Sequence, residues 1–326
     1  MSGPATRIVS ADIGGTHARF VIATVESERV VLGEPVTLRT SDYASFESAW
    51  HEFERRSRTE LPRELAIAIA GPVDGADLSL TNSQWRFNRD RIVDQLGLNS
   101  ITLMNDFGAV AHAVATAGET VLLHMAGPEK ALPEKGVVTI IGPGTGLGAA
   151  LLVRRNKDEY EIIETEAGHT DFSPLDALED RIVVELRKDF RRVSVERIVS
   201  GPGLRNIYDS LGVIEGKPAG IRDETELWSA ALAQTDKLAA VALDRFCMCL
   251  GAVAGDFALA HGASAVVIGG GIGKRLKDFL PNSGFADRFV AKGRFSSRLA
   301  SMPVKLITHP EPGLLGAAAA FAQPLR

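Results

Sequence analysis

Cysteine is almost missing from this 326-residue chain: only Cys247 and Cys249 occur. They stand two positions apart in a segment that reads as helix, so their side chains point to different faces and do not readily bridge. A disulfide framework is excluded, and a reducing, cytoplasmic setting fits. The pair also lacks the further cysteines that a zinc site needs, so no structural metal is expected. Runs of like charge are missing too. The 36 Lys+Arg and 41 Asp+Glu leave a net charge of −5, which argues against a protein held to nucleic-acid phosphates by counterion release. No stretch of about 18 uncharged apolar residues is present to span a bilayer. The first ten residues carry neither the apolar run nor the cleavage site of a signal peptide. Neither nucleic acid nor membrane is an expected partner.

What is present is a globular mixture, 45% hydrophobic and 24% charged, long enough for two domains at ~100–200 residues each. Residues 7–12 read as an apolar strand, Gly14-Gly15-Thr16 as a turn, 19–25 as a second strand and 29–38 as a third. Helices are expected at 42–58, 88–96 and 107–117, with strands at 64–70 and 100–104. The opening then recurs: strand 136–141, glycine turn 142–146, strand 147–153 and a third strand at 160–164. An internal duplication is the economical reading. The second half is the more helical, with helices at 174–188, 203–211, 224–233 and 236–261, a strand at 265–268 and a helix at 274–280. A strand at 304–308 and a helix at 312–321 close the chain. The boundary between the halves is expected in the Gly-, Pro- and Lys-rich residues 118–136.

Glycine, with 32 residues, is the rich entry, and it clusters. Dinucleotide folds and P-loops place their glycines between a strand and a helix; here both turns run from strand to strand, as hairpin tips. Gly14-Gly15-Thr16 and Gly142-Pro143-Gly144-Thr145-Gly146 therefore either close hairpins only or approach one polyphosphate with exposed N–H groups. Two matched turns, each with a threonine, favour the nucleotide clamp. Asp12, just ahead of the first turn, is the candidate Mg²⁺ holder, directly or through water; an Asx-type turn contact is its other reading. Gly269-Gly270-Gly271 follows a strand and suits a purine or ribose site, or else tight strand-to-helix packing.

The polar residues concentrate as well. Asn105-Asp106 lies between a strand and a helix, where a carboxylate either caps the helix or does chemistry. The segment from Glu164 to Asp171 holds Glu166 and His169 beside a small-residue turn. Together with Asn82, near Trp85, and with Glu196 ahead of Ser200-Gly201-Pro202-Gly203, it offers the mixed donors and acceptors that a polyhydroxylated sugar needs.

On these stretches the chain resembles the bacterial glucokinase family of the hexokinase and actin-like ATPase superfamily. The carriers are 12–16, Leu80-Thr81-Asn82 with Trp85, Asn105-Asp106-Phe107, 142–148, Glu166-Ala167-Gly168-His169, 196–203 and Gly269-Gly270-Gly271-Ile272, almost end to end. The resemblance implies a two-domain α/β fold of the actin-like ATPase (ribonuclease H-like) type. The small domain would comprise residues 1–117 with 310–326 and the large one 118–309, around a cleft. It implies a cytoplasmic homodimer that phosphorylates D-glucose with ATP and Mg²⁺. Asn105, Asp106, Glu166, His169 and Glu196 match the family's glucose contacts, Asn82 lies in a matching stretch, and Asp106 matches the catalytic base. The glycine turns match its phosphate clamps.

Overall fold

The computed structural model of the chain describes residues 5–26, 29–71, 73, 75–80, 85–217 and 220–323. The chain divides into two compact units: Met1–Gly118 with Tyr160–Glu164 and His309–Arg326, and Glu119–Glu159 with Thr165–Thr308.

The first unit contains β1 (Thr6–Ile13), β2 (His17–Glu26), β3 (Arg29–Leu32), β4 (Val36–Arg39), α1 (Phe46–Ser57), β5 (Glu64–Ile69), β6 (Asp77–Ser79), β7 (Arg86–Asn88), α2 (Arg89–Leu96), β8 (Ser100–Asn105) and α3 (Asp106–Thr116). Its main sheet runs β3-β2-β1-β5-β8. The hairpin β1–β2 is antiparallel, whereas β1–β5 and β5–β8 are parallel. The third strand expected at 29–38 is broken. Its two pieces pair with different halves of β2, and between them the Gly33 N–H donates to the Ile22 carbonyl at 3.0 Å, a position with a following Pro35 that cannot continue the ladder.

Helix α1 shows why the local sequence suffices for its shape. Ser45 and Ser48 form a reciprocal capping box, and Phe46, Ala49, Trp50 and Phe53 all point inward at helical spacing. Phe53 stacks on Phe20 of β2 with ring centroids 5.2 Å apart. Trp85 is buried in the same core and donates its indole N–H to the Tyr43 carbonyl at 2.9 Å.

The second unit contributes β9 (Leu122–Ala126), β10 (Gly136–Pro143), β11 (Leu147–Arg154), α4 (Ala177–Leu186), α5 (Gly201–Ile214), α6 (Glu224–Ala233), α7 (Lys237–Ala260), β13 (Ala265–Ile268), α8 (Gly270–Arg275), α9 (Phe285–Val290), α10 (Ser296–Ala300) and β14 (Val304–Ile307). Strand β12 (Tyr160–Thr165) belongs to the first unit except for Thr165. Within the second unit the strand order is β11-β10-β13-β14-β9. Again a hairpin, β10–β11, is followed by parallel pairings, β10–β13 and β13–β14. The two units thus repeat one topology, as the recurring glycine turns predict. Strand β9 was not expected: it lies inside residues 118–136, read as a boundary, and pairs antiparallel with β14. The Gly-Pro-Lys punctuation there follows this strand.

Helix α7 is long and apolar enough to cross a bilayer, and its apolar residues, including Phe246, Cys247, Cys249 and Leu250, fill the core of the second unit. Both cysteines are free and buried, and burial pushes each thiol up to about 12.

Helix α11 (Pro312–Ala322) returns to the first unit. Gly316 lets it meet α3 so closely that a Cβ there would lie 1.7 Å from the Ala109 carbonyl oxygen. On another side of α11 the buried Ser10 hydroxyl of β1 donates to the Leu314 carbonyl at 2.7 Å, which satisfies that hydroxyl and ties the helix to the sheet.

His112 of α3 sits 3.1 Å from the Tyr160 hydroxyl, and burial pushes its pKa down to about 4. The unfolded chain, near ~6.5, binds this proton first, so stability is present above that pH and lost as pH falls from ~6.5 toward ~4, by at most about 3 kcal/mol. We expect His112→Phe, which cannot titrate, to flatten the acid side of the stability curve. Urea melts between pH 7 and pH 4.5 measure it; equal slopes for both proteins would remove His112 as the cause.

Candidate functional site

In the first unit, three parallel strands end at one edge. Ile13 of β1 pairs with Ile69 of β5, and Ile69 with Asn105 of β8, so Asp12, Ala70 and Asn105-Asp106 gather at the carboxyl ends of the strands, where ligands of open α/β sheets bind. The hairpin tip Gly14-Gly15-Thr16 rises beside them. Gly14 N–H donates to the His17 carbonyl at 2.9 Å. Thr40 clamps the tip from outside, its hydroxyl on the Gly15 carbonyl at 2.6 Å and its N–H on the Thr16 carbonyl at 3.1 Å. The Gly15 and Thr16 carbonyls are thereby occupied by protein, while the Gly15 and Thr16 N–H groups are candidate donors to an anion.

The Asp12 carboxylate accepts from Arg19 at 3.3 Å, and Arg19 lies 3.6 Å from Glu311. Burial raises the Asp12 pKa; Arg19 opposes the shift and the Glu311 carboxylate adds to it. Gly313 makes room for the carboxyl, since a Cβ there would come within 2.7 Å of it. A partly desolvated carboxylate with a second carboxylate close by is a hard oxygen site whose charge a divalent cation would relieve. Mg²⁺ fits Asp12. Among the described residues there is no cluster of three or more metal-ligating side chains.

Asn105 is the N-cap of α3. The Phe107 N–H is shared between its Oδ1 at 2.8 Å and the Asp106 Oδ1 at 2.9 Å, and its Nδ2 donates to the Gly71 carbonyl at 3.3 Å. The helix cap is thus Asn105, with the Asp106 carboxylate held at the same amide. Asn82 lies outside the described residues.

The second unit assembles the other candidates. Gly142 and Pro143 belong to β10, with Gly142 paired to Gly148, so the turn itself is Gly144-Thr145-Gly146, a correction to the 142–146 assignment. Gly144 N–H donates to the Gly146 carbonyl at 2.8 Å, and Gly201 N–H, at the start of α5, to the Gly144 carbonyl at 2.7 Å. The third glycine cluster abuts the second. Gly269 N–H donates to the Ile141 carbonyl at 2.8 Å, and Gly270, at φ +76°, lies so near β10 that a Cβ would meet the Pro143 carbonyl at 2.6 Å. Gly270 and Gly271 are already the first turn of α8, which ends at Arg275; the helix expected at 274–280 thus begins earlier, because Gly270 tolerates the positive φ that the strand exit demands, and stops before most of its expected span.

Glu196 proves to be tied to the second turn. Its Oε2 accepts the Leu147 N–H at 2.9 Å, and Gly146 has no Cβ to obstruct it. Glu166 precedes a 3₁₀ turn at Ala167–His169 and His169 closes it, with His169 Nε2 3.7 Å from the Glu166 carboxylate. Backbone bonds from Val195 N–H to Thr170 at 2.8 Å and from Phe172 N–H to Val193 at 3.0 Å lay the Glu196 segment alongside. Arg192 pins that strip by donating to the His169 carbonyl at 2.6 Å and to Asp171 at 2.8 Å. Thr40 and Arg192 escaped the sequence reading; no local pattern marks a residue whose role is to bond a distant carbonyl.

A family profile described as Glucokinase matches residues 9–324. The chain is 56% identical over 316 residues to the glucokinase of Zymomonas mobilis, with 97% of each chain covered. Among solved structures it is similar to the glucokinase from an Antarctic psychrotroph, at TM-score 0.85 and 31% identity over 96% of this chain and 98% of that one. A ROK family glucokinase from Streptomyces griseus, in complex with glucose and AMPPNP, shares the fold at TM-score 0.63 and 19% identity, over 97% of this chain and 99% of that one. The α/β fold is that of the actin-like ATPases.

The glycines of this site differ in what they do. A Cβ on Gly168 would strike the Leu147 carbonyl at 2.2 Å, whereas one on Gly144 meets nothing within 4 Å. We expect Gly168→Ala to cost about 1–3 kcal/mol by overpacking and Gly144→Ala less than about 0.5 kcal/mol. Chemical melts of the two variants check this; equal losses would contradict it.

Proposed function

The chain belongs to the glucokinase family, and from that premise we propose which of its residues transfer the γ-phosphoryl group of ATP to the 6-hydroxyl of D-glucose. The observation that carries the assignment is Asn105-Asp106: a carboxylate fixed by its own helix cap at the carboxyl end of a parallel strand, in the same edge as Asp12 and the first glycine tip.

Asp106 is the base. Its carboxylate accepts a hydrogen bond from the 6-hydroxyl and orients the oxygen toward the γ-phosphorus. A sugar hydroxyl is too weak an acid to ionise beforehand, so the proton moves to Asp106 as the new O–P bond forms and the bond to the β-phosphate oxygen breaks, releasing ADP. Asn105, Glu166, His169 and Glu196, with Asn82, bind the remaining hydroxyls. Glu196 uses Oε2 on Leu147 and has Oε1 left to accept from sugar. Thr16, Gly15, Thr145 and Gly146 offer backbone N–H groups to the phosphates, with Gly14, Gly142 and Gly144 shaping the approach, and Gly269, Gly270 and Gly271 face the nucleoside. Mg²⁺, held by Asp12 directly or through water, would neutralise phosphate charge.

The two compact units support residues 1–117 with 310–326 as the small domain and 118–309 as the large one, with Tyr160–Glu164 joining the former. A homodimer in the cytoplasm is the assembly and location that family membership implies; two buried, free thiols suit a reducing compartment.

Asp106→Asn keeps the shape and loses the base, so turnover should fall by ~10²–10⁴-fold while glucose affinity changes far less. Steady-state kinetics beside calorimetric glucose titration test this, and retention of more than half the activity would dismiss Asp106 as base. Gly144→Val should weaken nucleotide binding and spare glucose binding, because the space beside Gly144 is empty of protein. Titration with both ligands decides it; equal losses would mean a merely structural turn.

A further inference from the structure

We propose that Glu164 is a positioning residue for the Asn105-Asp106 pair, an inference that rests on reading Asp106 as the base. Its Oε1 accepts the Asn105 N–H at 2.8 Å. That bond acts on the backbone of the residue that caps α3 and directly precedes Asp106. Asn105 is then held from three directions: by Glu164 at its N–H, by Gly71 at Nδ2 and by Phe107 at Oδ1.

The seat for this carboxylate is built into α3. Gly108 is buried in the first turn, and a Cβ on it would lie 2.1 Å from the Glu164 Oε1, 2.9 Å from its Cδ and 3.0 Å from its Cγ. Those three atoms are the nearest to that position, so a side chain at 108 would displace the Glu164 carboxyl before anything else. Glycine inside a helix otherwise carries a conformational cost; here it gives the carboxylate access to the Asn105 N–H. A negative charge at this end of α3 also meets the positive end of the helix dipole. Glu164 stands at the end of β12 and only two residues before Glu166. It acts through Asn105 and not on reacting atoms, holding the strand-to-helix corner that precedes the base. Displacing a reacting group by about 1 Å is enough to slow a reaction by up to ~10²-fold.

The test uses Glu164→Gln, Glu164→Ala, Gly108→Ala and the Gly108→Ala/Glu164→Ala double variant, with kcat, glucose KM and thermal midpoint measured for each at saturating Mg-ATP. Gln retains a carbonyl oxygen for the Asn105 N–H, so its kcat should stay within about threefold of the parent. Glu164→Ala should lower kcat about tenfold with a smaller rise in KM, since other groups still hold the sugar. Gly108→Ala should do the same by moving the carboxylate, and the double variant should be no slower than Glu164→Ala alone, because the two changes disrupt one contact. An unchanged kcat in Glu164→Ala, equal damage from Gln and Ala with parallel loss of thermal midpoint, or additive losses in the double variant would each overturn the proposal. If Glu164→Ala does not fold, Gly108→Ala decides: an unaltered kcat there overturns it. An inactive Asp106→Asn beside a normal Glu164→Ala sinks only the positioning role, whereas an active Asp106→Asn removes the base on which that role rests.

Discussion

Backbone lying directly against backbone, at positions where no side chain intervenes, is the constraint on which the site depends. Gly316 against Ala109 seats α11 on α3; Gly168 against Leu147 seats the Glu166–His169 turn on β11; Gly270 against Pro143 joins the second and third glycine clusters. Each approach is closer than a Cβ permits. The high glycine content is therefore not looseness. At these places it is the means by which elements are held at fixed distance.

A second theme is that the polar groups do double work. Asn105 caps a helix through Oδ1 and holds the Gly71 carbonyl through Nδ2. Glu196 takes a turn amide with one oxygen and keeps the other. Arg19 reaches both Asp12 and Glu311, restraining a carboxylate that burial would otherwise favour in its neutral form. A side chain fixed by its structural bond loses less freedom when it meets a ligand. Preorganisation of this kind suits phosphoryl transfer, where alignment and charge neutralisation, more than covalent chemistry, lower the barrier.

Much of this was legible in the sequence. Short apolar strands flanking glycine turns predicted both hairpins, and the helix expected at 42–58 forms as α1, although it starts at Phe46 under a Ser45 cap because residues 40–42 close a 3₁₀ turn instead. The repeated turn predicted the repeated topology. Strand β9 was hidden, since its Leu122–Ala126 run is short and lies next to loop-like punctuation, and what makes it a strand is β14, from far along the chain. The break at Gly33 was hidden for the same reason: either strand piece is acceptable locally, and pairing with β2 decides.

By itself the sequence determined the α/β class, the repeated hairpin tips and the residue types able to bind a sugar and a polyphosphate, because these follow from local periodicity, glycine spacing and the chemistry of Asp, Glu, Asn and His; the actin-like fold came through the family resemblance. Only the tertiary structure decided which of those groups are restrained and by what: Thr40 on the first tip, Leu147 on Glu196, Glu164 on Asn105, Arg19 on Asp12. These partners stand from 7 to 59 positions apart. A hydrogen bond requires that two groups meet within about 3 Å at a suitable angle, and for residues so separated that meeting is settled by the packing of whole elements, not by any pattern in the chain.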